Sequence, residues 1–76
     1  MEELVKAIAL ALVDNPGEVS VSTIEKEGET FVELKVSASD MGKVIGKQGR
    51  IAKAIRIVVK AAAAKENREV GVEIVQ

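Results

Sequence analysis

The chain has 76 residues and a mass of 8.1 kDa, enough for one small core and too little for a second domain or a deep substrate cavity. Its 47% apolar and 30% charged content is that of a soluble globular chain; the absence of His and Cys removes disulfides, the common zinc ligand sets, thiol nucleophiles and the usual proton carrier at neutral pH. The net charge of -1 argues against a nucleic-acid partner only until it is resolved along the chain. Residues 1–40 carry nine acids and three lysines, residues 66–76 carry three acids and Arg68, and residues 41–65 carry Lys43, Lys47, Arg50, Lys53, Arg56, Lys60 and Lys65 with no acid at all.

In chain order, Met1-Glu2-Glu3 lacks the basic start of a secretory signal, and no apolar run reaches membrane-spanning length, so a cytoplasmic protein without a membrane span is expected. Leu4, Ile8, Ala11 and Leu12 share one side at helical spacing, and Asp14-Asn15-Pro16-Gly17 stops that helix. Residues 18–26 alternate with Val19 and Val21 on one face. Glu27-Gly28-Glu29 makes a turn, and Val32, Leu34 and Val36 alternate after it, which predicts a β-hairpin. Ser39 or Asp40 caps a short helix running through Ile45, interrupted by Gly46 and Gly49. Arg50 to Lys65 is the strongest helix, with Ile51, Ala54, Ile55, Val58, Ala61 and Ala62 as its core stripe and Asn67 as its stop.

Val70, Val72 and Ile74 form a closing strand. The order αββααβ predicts a single α+β domain over residues 1–76: a three-stranded mixed sheet, its first two strands antiparallel and its last two parallel, with three helices packed on one face. Phe31, Glu33 and Lys35 then point to the other face. Phe31, the only aromatic residue, is either a half-exposed sheet residue or part of a partner contact.

The stretch Val44-Ile45-Gly46-Lys47-Gln48-Gly49-Arg50-Ile51 carries the functional reading. Two glycines three apart between helices permit a tight reversal with no side chain blocking approach to the backbone. The amides of Gln48, Gly49 and Arg50 fall near the start of the long helix, where free donors and the helix dipole attract phosphate. Lys47 and Arg50 add full charges; Lys43, Lys53 and Arg56 stand within a turn or two; Val44, Ile45, Ile51 and Ile55 offer an apolar surface beside them. Gly42-Lys43-Val44-Ile45-Gly46-Lys47 is not a Walker A loop, because it has three residues between the glycines instead of four and Gln48 where Ser or Thr should hold magnesium. A dinucleotide fingerprint fails for want of Gly-x-Gly after a strand.

These residues resemble the signature loop of KH domains, and the order αββααβ is similar to the type II, prokaryotic arrangement. Asp40-Met41-Gly42-Lys43 and the run Ile51-Ala52-Lys53-Ala54-Ile55-Arg56 extend the likeness over essentially the whole chain, to the small stand-alone bacterial members. The resemblance implies non-catalytic binding of single-stranded RNA, with the loop clamping about four nucleotides and no cofactor or metal. By position, Gly46, Lys47, Gln48 and Gly49 would be the clamp, Val44, Ile45 and Ile51 the groove floor, Arg50 a phosphate contact, and Lys43, Lys53 and Arg56 flanking cations. It further implies a homodimer, or a heterodimer with a Jag-type KH protein, acting in post-transcriptional regulation linked to cell elongation and division.

Duplex DNA is expected to be a poor ligand, since the groove needs unstacked bases. Lys60 and Lys65 read as ordinary surface charge. Ile57, beside the basic face, is either at the core margin or a dimer contact, so the alternative function is a protein-interaction subunit with little RNA affinity of its own. The acids lie towards the two ends with no base or nucleophile among them, which leaves an enzyme a distant third.

Overall fold

A computed structural model describes the backbone of residues 1–76 and every side chain except those of Lys47 and Gln48. Helix α1 (Glu2–Leu12) leads through a single 3-10 turn (Pro16–Glu18) into β1 (Ser20–Lys26) and β2 (Glu29–Lys35); helix α2 (Ala38–Lys65) and β3 (Val70–Val75) complete the chain. The sheet order is β1-β2-β3. β1 pairs antiparallel with β2, Thr23 opposite Val32, and β3 runs parallel to β2, Val32 opposite Val72. The expected α+β mixed sheet is therefore present.

The hairpin turn is tight because Glu27 and Gly28 both adopt positive φ (51° and 81°), the two-residue geometry whose twist matches the strands it joins. At the other end of the crossover, α2 closes with Asn67 in the left-handed region, φ 55°. Arg68 N–H donates to the Ala63 carbonyl at 2.9 Å and Asn67 N–H to that of Ala64 at 3.1 Å, a Schellman pair that satisfies the last carbonyls. The expected stop at Asn67 holds.

The long helix departs from the sequence reading in three ways. It starts at Ala38, capped by Ser37, whose hydroxyl accepts from Asp40 N–H; the cap is neither Ser39 nor Asp40. It also has no separate loop at the glycines. Gly46 lies inside the helix, and the break falls on Gly49 alone, where φ is +71°, a value no right-handed helix contains. A straight helix of this length would span about 42 Å, beyond the 34 Å long axis of the fold. α2 is thus two arms, 38–48 and 50–65, meeting at Gly49, which with α1 gives three helices. Finally, the core stripe is rotated. Ala52, Ile55, Val59 and Ala63 are buried, while Ala54 and Ala61 are exposed.

The same rotation affects α1, whose buried residues are Val5 and Ala9, with Leu4, Leu10 and Leu12 partly open to solvent. Both helices pack on one face of the sheet, where Val5, Ala9, Val19, Val32, Leu34, Val36, Ile55 and Val59 form the core. Each large side chain there contributes about 1.5–3 kcal/mol by leaving water. Among the described residues no helix is long and apolar enough to cross a membrane.

Candidate nucleic-acid interface

The first arm of α2 is fixed to the rest of the fold by Asp40, 1% exposed. Its carboxylate accepts from the backbone N–H groups of Asp14 and Asn15, each at 3.0 Å, from Asn15 Nδ2 at 3.1 Å and from the Ser37 hydroxyl at 3.0 Å. The bond from the Asp14 amide, helped by those of Asn15 and Ser37 and opposed by burial, holds the carboxyl below the ordinary carboxylate range, because donors aimed at a carboxylate favour its charged form. A buried anion with every oxygen used makes a rigid joint. It sets the first arm, which carries Gly46, against the segment between α1 and β1. Sequence reading missed this role: the partners lie 25 and 26 residues away, beyond any local pattern.

At the far end of that arm the helix is broken at Gly49, φ +71°. Beyond its chain neighbours and the helix's own backbone, a Cβ placed on Gly46 or Gly49 would meet nothing within 4 Å, so the backbone there is open to a ligand. Ile45 beside it is 47% exposed, and Ile51 is half-buried against the core. Val44 corrects the expectation of a floor residue, since it is 1% exposed and has no surface to offer. Ile55 is likewise fully buried. The apolar surface beside the glycines is therefore Ile45 with part of Ile51.

Of the cations, Arg50, Lys53 and Arg56 are exposed and take part in none of the ion pairs among the described residues, which are Lys26–Glu73, Lys43–Asp14 and Arg68–Glu66. Lys43 reaches back to Asp14 Oδ1 at 3.2 Å. That exposed pair is weak enough, about 0–1 kcal/mol, for a phosphate to displace. The side chains of Lys47 and Gln48, the two residues expected to fill the clamp, lie outside the described residues. Ile57 is 68% exposed, which removes the core-margin reading and leaves a surface apolar residue on the second arm.

An αββααβ chain whose two central helical arms meet at a Gly-x-x-Gly turn, over a mixed sheet with its last two strands parallel, has the architecture of a type II KH domain. The family profile described as KhpA/KhpB, KH domain, matches residues 2–74, and the chain belongs to that family. It is 64% identical over 75 residues to the RNA-binding protein KhpA of Clostridium perfringens, covering 99% of this chain and 100% of the relative. Identity is 63% over 75 residues, with the same coverage, to that of Caldanaerobacter subterraneus, and 46% over the full length of both chains to that of Listeria monocytogenes. No solved structure shows significant similarity to the chain.

Proposed function

We propose that the protein binds single-stranded RNA, without catalysis, through the Gly46–Gly49 turn. The observation that carries this is the left-handed Gly49 with open space over both glycines, set within a stretch of seven cations and no acid. A strand of RNA can lay its backbone on such a turn while bases enter the apolar edge formed by Ile45 and Ile51. Lys47, Gln48 and Arg50 hold phosphates, and Lys43, Lys53 and Arg56 extend the positive field along both arms. The relatives' name, RNA-binding protein, supports the same ligand. In the cell this activity would serve post-transcriptional regulation in the cytoplasm, linked to elongation and division.

The test is binding of labelled single-stranded RNA by the wild type and by the double variant Lys47→Asp/Gln48→Asp. About four neutralised phosphates give a slope of roughly -3 for log affinity against log salt. The double variant should fold as the wild type does by circular dichroism and lose binding; a folded double variant with undiminished affinity rules out the clamp.

A second reading rests on Ile57. It stands 68% exposed next to the exposed Ala54 and Ala61 on the second arm, a strip that suits a helix of a second copy or of a Jag-type partner such as KhpB. Val59, two residues further on, is in the core. Light scattering on the wild type and on Ile57→Lys distinguishes the cases: a drop in mass supports an interface there, and equal masses exclude it for the homodimer.

A further inference from the structure

The turn is not the only place where the positive charge of α2 meets an accessible surface. Arg56, Lys60 and Ala64 follow one another at four-residue spacing on the second arm, and with Arg68 they wall a groove of about 840 Å³. The opposite wall is β3, through Val70, Gly71 and Val72, and the groove continues to Thr30 and Phe31 of β2. β3 is an edge strand, so the groove opens along its free side. The two acids that line it, Glu29 and Glu69, immediately precede Thr30 and Val70, which pair across the two strands. They therefore mark the end next to the hairpin turn, and Arg56 lies towards the glycines.

Phe31 occupies an unusual position here. It pairs with Gly71 in the parallel register, on the sheet face away from the helices. A Cβ on Gly71 would fall 2.6 Å from the ring's Cδ1 and 2.7 Å from its Cε1. The Cδ1–Cε1 edge of the ring takes the space that any side chain at 71 would fill. Because nothing pairs with β3 on its other side, this brings the protein's only aromatic ring to the sheet edge, half-buried, in the same groove as three cations. Along the helix, Arg56 and Lys60 lie about 9 Å and 15 Å from Arg50, so a strand leaving the turn meets them in succession.

We propose that this groove is an extension of the RNA site, in which Arg56 and Lys60 hold phosphates beyond the clamp and Phe31 stacks on a nucleobase. Cations spaced along a groove beside an aromatic face are the combination single strands require. The proposal rests on the RNA reading above and adds to it a longer footprint with a second, aromatic point of contact.

Since Phe31 is the only aromatic residue, a wild-type sample carrying 13C-labelled phenylalanine reports on it alone. Random-sequence RNAs of four and eight nucleotides are titrated into that sample, and their affinities for the wild type and for Phe31→Leu are measured in parallel; leucine keeps an apolar cover on Gly71. The expected result is an upfield shift of the ring signals with the octamer and not the tetramer. The octamer-to-tetramer affinity ratio, in which any change at the clamp cancels, should fall about five-fold or more in Phe31→Leu. Octamer binding that moves the backbone amides of residues 46–50 but leaves the ring signals in place, or a ratio preserved in Phe31→Leu, overturns the extension while the clamp stands. If the wild type binds neither RNA, the RNA reading itself falls, and the extension with it.

Discussion

Gly46 and Gly49 belong to one motif, yet alanine should move stability in opposite directions at the two positions. Neither site offers a packing reason to resist a methyl group, since a Cβ at either meets nothing within 4 Å; only the backbone differs. Gly46 sits within α2 and is not among the residues with positive φ. Gly46→Ala therefore removes unfolded-state freedom and gains about 0.5–1 kcal/mol. Gly49 has φ +71°, where a Cβ crowds the following carbonyl oxygen, and Gly49→Ala costs about 1–2 kcal/mol. For a domain of this size each kcal/mol shifts Tm by about 4–8 °C, so thermal melts followed by circular dichroism resolve both effects. Fluorescence anisotropy with single-stranded RNA should show weaker binding for both, because each methyl enters the space the RNA backbone would take. A Gly46→Ala protein less stable than the wild type would refute the backbone assignment. A stabilised Gly46→Ala with unchanged affinity would refute contact at that glycine.

Other consequences concern the core and the buried carboxylate. Ile55→Ala, at a fully buried position, should cost about 2–5 kcal/mol in urea unfolding, whereas Ile57→Ala, largely exposed, should stay within about 0.5 kcal/mol; similar values for the two would contradict the orientation of the second arm. Asp40 is held ionised by its four donors, so its contribution is complete above the unfolded-state pKa of about 3.9 and is lost as pH falls through the lower folded-state value. Asp40→Asn should accordingly lower Tm at neutral pH and flatten the acid side of the stability profile; a neutral-pH Tm equal to that of the wild type would show that the network does not hold the arm.

Much of this was legible in local pattern. The hairpin follows from two alternating runs around Glu27-Gly28, the parallel closing strand from a crossover that must return to the sheet, and the candidate site is proposed from glycines set in a charge block. What local pattern did not supply was phase. Alanines are small enough to lie on either side of a helix, so Ala54 and Ala61 were placed inside, while Ala52 and Ala63 took the core next to Ile55 and Val59. Leu4 and Leu12 misled in the same way in α1, where Val5 and Ala9 face the sheet. At the site, Val44 looked like a surface for bases because it borders Ile45. A helix turns 100° between neighbours, which puts one in the core and the other in solvent. The Asp40 joint and the Phe31–Gly71 contact depend on pairings across 25 and 40 positions, which only the fold brings together.

The central claim is that RNA is held at the turn between the two arms of α2. A 15N-labelled sample titrated with single-stranded RNA tests it residue by residue, since each backbone amide reports its own surroundings. The largest shifts are expected at residues 46–50, with smaller ones along Lys53 and Arg56, and none of comparable size from duplex DNA of the same length. Saturable RNA binding whose shifts instead fall on α1 or β1, leaving Gly46 and Gly49 unmoved, would contradict it.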